Sequence, residues 1–305
     1  MATRKEVKNR ISSVKNINKI TRAMEMVAAA RLRRAEQRIG HLRPYAQAIR
    51  KMTQRAAAEA GDVPRVPVLQ EREETREVGI LLVTGDRGLA GAFNTNITRE
   101  GLRLKREFER DGASVAFSVV GRRGVSAMTF RGEELLASYT GFTDRPGFGN
   151  AREIGGALTS AYVDEELDRV ELVYNRYVSP LTQYVRRQTL LPVQQAEVFG
   201  EGVPQEEDHE ETDLEKAHAR ALWIYEPEPE ELLATLIPEY VSISLYRALL
   251  ESAASEHGAR MTAMRTAAEN AESMIDDLTL EMNRVRQAEI TQEILEVVSG
   301  AEALG

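Results

Sequence analysis

The stretch Thr84-Gly85-Asp86-Arg87-Gly88-Leu89-Ala90-Gly91 is the most chemistry-like feature of this chain, because its glycines lie between an apolar run and a helical segment. Backbone N–H groups in such a loop, at the start of a helix, can cradle a phosphate. The G-x-x-G-x-x-G spacing fits neither the dinucleotide fingerprint nor the phosphate loop that ends in Gly-Lys-Ser/Thr. The loop has no lysine to reach a terminal phosphate, and the Asp86 carboxylate would repel one. These residues favour a tight turn that packs helix on strand. Nucleotide binding is the alternative. Other constellations are sparse. His41, His209, His218 and His257 are dispersed and show no ligand spacing. The acidic run Glu206, Glu207, Asp208, Glu210 and Glu211 lacks the turn glycine of a calcium loop and reads as a solvated segment. The absence of cysteine excludes disulfides, thiolate metal sites and cysteine catalysis.

Around the glycine loop, apolar runs alternate with helical stretches. Strands are expected at 78–83, 115–120, 134–139, 170–177 and 182–190, with helices at 95–110, near Val125 and at 154–162. Alternation of this kind predicts a small, doubly wound, mostly parallel Rossmann-like α/β domain over 75–195. The last two strands follow one another directly, so the final edge is expected to be antiparallel.

Both ends of the chain are long and helical. Stepping alternately by four and three from Val7 reaches Ile11, Val14, Asn18, Thr21, Glu25, Ala28, Leu32, Ala35, Ile39, Leu42, Ala46 and Ile49. Three of these are polar, and the neighbouring Ile17, Ile20, Met24 and Val27 are expected to carry the apolar face there, so that the stripe drifts by one residue. From Tyr246 the same stepping runs through Met264, Ala267, Ala271, Met274, Leu278 and Val285 to Leu295. Pro44 is expected to kink the first helix near Gly40. Two such ends, 1–60 and 240–305, predict a long antiparallel two-helix coiled coil, with an acidic connector and contact segment at 196–239. The shape expected is a rod on a globular foot, which suits a shaft better than a catalytic pocket.

Charge is unevenly placed. The net charge is −8, yet residues 1–60 hold fifteen Lys/Arg against four Asp/Glu, and residues 201–240 hold thirteen Asp/Glu against two Lys/Arg. That asymmetry suggests two different partners. A basic helix is compatible with nucleic acid, an anionic membrane surface or an acidic protein surface. No apolar run approaches the ~20 residues needed to span a bilayer. Nor does the amphipathic N-terminus, with Arg4, Lys5 and Lys8, read as a signal peptide. Membrane association is therefore expected only through partners.

Several segments resemble one family. Ile11-Ser12-Ser13-Val14-Lys15-Asn16 and Lys19-Ile20-Thr21-Arg22-Ala23-Met24-Glu25-Met26-Val27-Ala28 are similar to the opening helix of the gamma subunit of F-type ATP synthase. Asp86-Arg87-Gly88-Leu89 resembles its internal turn. Ala254-Ser255-Glu256-His257, Arg260-Met261-Thr262-Ala263-Met264 and Asn283-Arg284-Val285-Arg286-Gln287-Ala288 resemble its closing helix, as does Ile290-Thr291-Gln292-Glu293-Ile294-Leu295. The likeness covers essentially the whole chain in the expected order.

The resemblance implies a central rotor stalk that passes torque between a membrane ring of c subunits and a catalytic hexamer of alpha and beta subunits, beside an epsilon subunit. It implies no bond chemistry, no cofactor and no metal in this chain. Met24 matches a family position near a beta-subunit lever loop, and Arg286, Gln287 and Thr291 match contacts with the hexamer. Trp223, Tyr225 and Glu226 match a segment near the ring and epsilon. Peripheral attachment to the cytoplasmic side of a bacterial cell membrane is implied. The dithiol switch of chloroplast relatives is excluded by the cysteine-free segment Glu201 to Asp213. Two alternatives stand beside the shaft: a nucleotide-binding enzyme with coiled-coil arms, and a basic coiled-coil nucleic-acid binder.

Overall fold

The computed structural model describes residues 3–60, 67–193 and 229–302. Its elements in chain order are α1 (Arg4–Ala60), a 3-10 turn (Pro67–Leu69), β1 (Glu77–Val83), α2 (Phe93–Arg110), β2 (Ser114–Val120), α3 (Arg122–Thr129), β3 (Leu135–Tyr139), α4 (Phe148–Val163), β4 (Arg169–Tyr177), β5 (Gln183–Leu191) and α5 (Pro229–Glu302). The terminal helices have 57 and 74 residues. Helix α5 starts at Pro229 rather than Tyr240. A proline in the first turn costs little, since its missing N–H would have no intrahelical partner there. Pro44 lies inside α1, which continues through it to Ala60.

The strands form one five-stranded sheet in the order β3-β2-β1-β4-β5. The β1 pairings with β2 and β4 and the β2–β3 pairing are parallel, while β5 returns antiparallel to β4. Strand β1 is buried from Val78 to Val83, as a central parallel strand covered on both faces should be. Its alternate side chains face opposite layers. Leu81 and Val83 join a core with Ile154, Leu158 and Tyr162 of α4 and Ile237, Val241 and Leu245 of α5. Leu82 lies instead against Gly101 of α2, where a methyl group would come within 2.6 Å of its Cδ2. Each fully buried aliphatic side chain in these layers contributes about 1.5–3 kcal/mol relative to exposure.

Two compact units divide the chain. The first comprises Met1–Arg31, Leu89–Gly91 and His257–Gly305. The second comprises Leu32–Gly88 and Ala92–Glu256, and holds the sheet. Within the second unit nearly every residue of α5 from Val241 to Glu256 is buried, which fits its mostly apolar or small side chains; Arg247, Glu251 and Glu256 are the charged exceptions. Here too α1 packs on α5: Ile49 meets Leu236 and Ile243, and the Tyr45 hydroxyl donates to Glu239 at 3.2 Å.

Candidate partner-binding surfaces and the glycine loop

In the first unit, α1 and α5 run antiparallel. Arg265 pairs with Glu25 at 2.8 Å, the Asn18 amide donates to the Ala268 carbonyl at 2.8 Å, and Arg22 pairs with Glu272 at 2.6 Å. Val7 and Ile11 pack with Leu278. The hydrogen bond and charge of Arg22 hold the Glu272 carboxyl below its ordinary pKa. The Arg22–Glu272 pair is solvated on both sides and adds little stability, whereas the Glu25 carboxylate of the other pair is largely covered. Asn18 has more consequence, because a polar side chain satisfied across a seam fixes its register.

The expected one-residue drift of the α1 stripe does not occur. Thr21, Ala28, Leu32 and Ala35 are buried on the strict heptad, while Ile17, Ile20 and Val27 are more than half exposed. The polar heptad positions stay in register because each is satisfied. Asn18 and Glu25 bond to α5, and the Thr21 hydroxyl donates to the carbonyls of Ile17 and Asn18. On α5, Met264, Ala268, Ala271 and Leu278 are buried, whereas Met274 is exposed and Ile275 is half-buried beside the seam.

Met24 is half-buried on the outward side of α1, in one stripe with Ile17, Ile20 and Val27. Arg286, Gln287 and Thr291 are exposed on α5, and the Thr291 hydroxyl donates to the Gln287 carbonyl one turn back. These are two separate surfaces. Met24 stands level with the Arg265 turn, and the intervening helix to Arg286 spans about 30 Å at ~1.5 Å per residue. Trp223, Tyr225, Glu226 and the acidic segment 201–213 lie outside the described residues.

With Ile11 opposite Leu278, Arg4 at the start of α1 stands level with about Val285. Beyond that level no other described element accompanies α5, and every residue from Ile290 to Ser299 is exposed. Ile290, Ile294, Leu295, Val297 and Val298 are between 48% and 72% exposed. Leu295 is thus not in a seam with α1 among the described residues. The Ile290, Ile294, Val297 spacing follows one helix face, so the signal was present in the sequence, but periodicity alone does not say whether a stripe meets its own chain or another.

The glycine loop turns out to organise the carboxyl end of the sheet. The Asp86 carboxylate accepts from the N–H groups of Gly141 (2.9 Å), Arg122 (3.1 Å) and Thr143 (3.2 Å) and from the Thr143 hydroxyl (3.0 Å). Burial works to raise its pKa, but these hydrogen bonds prevail and hold it below the ordinary aspartate value. Two of the loop amides are engaged within the fold: Gly85 N–H donates to Asn94 Oδ1 and Asp86 N–H to Thr143 Oγ1, both at 2.8 Å. Gly121, at φ +93°, makes a close approach that only glycine allows, since a methyl group there would lie 2.4 Å from the Thr84 carbonyl oxygen.

In a doubly wound sheet, ligands bind outside the strand carboxyl ends where the strand order reverses, here between β1 and β4. In this chain α5 fills that place. The Ser252 hydroxyl donates to the Val83 carbonyl at 3.4 Å, the Ser255 hydroxyl donates to the Asn175 carbonyl at 3.2 Å, and the Glu256 carboxylate lies against Gly85. The space left among Val83, Thr84, Thr143, Pro146, Ser252 and Glu256 is about 10 Å³, enough for a water and far too small for a nucleotide. His41 is exposed and His257 buried, while His209 and His218 lie outside the described residues.

The ATP synthase family profile matches residues 3–304. The chain is 41% identical over 305 residues to the ATP synthase gamma chain of Rubrobacter xylanophilus, covering 100% of this chain and 99% of that one. It is 39% identical over 301 residues to the sodium ion specific ATP synthase gamma chain of Acetobacterium woodii, covering 98% of both. Among solved structures, the central stalk and c-ring of the Tetrahymena thermophila mitochondrial ATP synthase contains a chain matching at TM-score 0.57 and 26% identity, over 81% of this chain and 99% of that one. A chain of the Euglena gracilis mitochondrial ATP synthase shares the fold at TM-score 0.65 and 18% identity, over 99% of this chain and 94% of that one. Long terminal helices joined through a doubly wound sheet, and full-length relatives of one kind, lead to a single assignment: the chain belongs to the gamma-chain family of ATP synthase.

Proposed function

We propose that this chain acts as the central rotor shaft of an F-type ATP synthase and performs no bond chemistry itself. The bare end of α5 is the observation that carries this reading. An exposed apolar stripe on a lone helix calls for a sleeve, and a ring of alternating alpha and beta subunits supplies one. The outward α1 stripe of Ile17, Ile20, Met24 and Val27, flanked by Arg22 and Arg31, offers a second contact, apolar at its centre and basic at its rim. A beta-subunit loop with acidic residues complements it. Arg286, Gln287 and Thr291 stand where the paired helices give way to the single one, and form the polar contact at the mouth of the sleeve.

Because the two contacts lie on different helices at different heights, the shaft has no threefold symmetry. Each catalytic site around it meets a different face at any instant. A turning shaft therefore shifts each site in sequence among conformations that differ in affinity for ADP, phosphate and ATP, which is population shift by differential contact. Attachment to the ring of c subunits is peripheral, on the cytoplasmic side, with the epsilon subunit alongside; among the described residues no helix is long and apolar enough to cross a membrane. Trp223, Tyr225 and Glu226 take part in that attachment. Affinity purification of the tagged chain from its own membranes tests this assignment. Recovery of alpha, beta, epsilon and c subunits in one complex that hydrolyses ATP and pumps ions is expected. Recovery of the chain alone, or with nucleic acid, would overturn it.

A further inference from the structure

The shaft must be turned by something fixed to it, and purely apolar packing is poorly suited to that task because it has no directional preference. Hydrogen bonds and interlocked side chains do resist sliding and rotation. In the second unit, α5 makes such contacts with the sheet at the point where the strand order reverses. Ser252 donates to the last residue of β1, Val83, and Ser255 donates to Asn175 near the end of β4. One turn of helix thus grips two neighbouring strands. Glu256, only 1% exposed, completes the grip. Its carboxylate lies flat against Gly85, such that a methyl group there would sit 2.7–2.8 Å from its carboxyl carbon and both oxygens.

The socket around this turn is stiff. Thr84 and Thr143 line it, and Asp86 ties Thr143 to the turns that begin at Arg122 and Gly141. All three loops at the carboxyl end of β1, β2 and β3 are thereby held by one carboxylate. Little empty space remains for Glu256 to move into. A place built for a ligand is occupied by the helix that the domain has to turn.

We propose that Ser252, Ser255 and Glu256, seated on Val83, Asn175 and Gly85, form the torque joint through which rotation of the sheet domain is imposed on α5. The proposal rests on the rotor reading above. These are positioning residues: they touch no nucleotide and act by preventing the domain from slipping around the helix. Loss of the joint uncouples the two ends of the shaft without disturbing the catalytic sites.

The test uses the whole complex in sealed vesicles, with ATP hydrolysis and ATP-driven membrane potential measured side by side. Glu256→Ala, and separately the pair Ser252→Ala and Ser255→Ala, are expected to hydrolyse ATP at the parent rate while pumping severalfold fewer ions per ATP. The chain has no cysteine, so Val83→Cys with Ser252→Cys, replacing two side chains that line the same small cavity, can be added to the Glu256→Ala chain as a switchable tether. Oxidation is expected to restore pumping and reduction to abolish it again. Parent-level pumping per ATP in both variants, pumping and hydrolysis falling in equal proportion, or a formed tether that restores nothing would each overturn the joint. If Glu256→Ala does not assemble, the two-hydroxyl variant decides by the same criteria. A parent complex that fails to couple hydrolysis to pumping overturns the rotor reading itself, and the joint with it.

Discussion

Replacing Ile290, Ile294 and Val297 together by serine separates what α5 does for its own chain from what it does for a partner. The three side chains are 48%, 57% and 72% exposed, and they lie on one face of the single-helix segment. Ile, Val and Ser have similar helix propensities, so the helix itself is not weakened. Since all three side chains are exposed and none belongs to the buried core, the isolated protein should melt within about 0.5 kcal/mol of the parent. In a sleeve the situation reverses. The uncovered surface amounts to a little under two whole aliphatic side chains, or about 3.5 kcal/mol if the hexamer buries all of it. That corresponds to a dissociation constant several hundredfold weaker. Titration of the alpha/beta hexamer with labelled chain measures the affinity, and denaturant melts of the chain alone measure stability. An unchanged affinity would refute the sleeve, and a clear loss of stability in the isolated chain would show that the stripe is internal core.

Three further outcomes are expected. Met24→Lys, which puts a charge into the outward stripe of α1, should lower ion pumping per ATP in the assembled complex while leaving the melt of the isolated chain within about 0.5 kcal/mol, because the side chain is only half-buried. Asp86→Asn should cost about 2 kcal/mol or more in denaturant melts, as a carboxylate accepting several hydrogen bonds is replaced by a neutral group. The Asp86 pKa is lowered by folding, so its stabilisation is complete above the unfolded value near ~3.9 and is lost as pH falls through the folded value; the variant should lack that acid limb. Gly101→Ala should destabilise the sheet domain by about 1–3 kcal/mol through overpacking against Leu82, and relief by a second substitution, Leu82→Val, would identify the clash as the cause.

Much of the architecture is legible in local sequence patterns. The apolar run at β1, the alternation of strand and helix that follows, and the two proline-poor ends were sufficient for a doubly wound sheet between long helices, and the direct succession of β4 and β5 for the antiparallel edge. These are local signals, carried by side-chain period and by how many residues separate one element from the next. The spacing of Gly85, Gly88 and Gly91 likewise indicated a turn. Its purpose was not legible, because the partners of Asp86 come from residues more than thirty positions away in the chain.

The surfaces were harder to read for the same reason. Asn18, Thr21 and Glu25 look like breaks in an apolar stripe, and the neighbouring Ile17, Ile20, Met24 and Val27 look like its repair. Only pairing with α5 shows that the polar residues hold the seam while the apolar ones face outward. A heptad specifies that a face is to be buried, and leaves open what buries it. The sequence by itself determined the elements, their order, the family and the absence of thiol chemistry. Tertiary structure decided which stripe is internal, where α1 leaves α5 bare, and that a helix rather than a nucleotide fills the crevice of the sheet, since each of these depends on which distant residue arrives to satisfy a buried polar group or cover an apolar one.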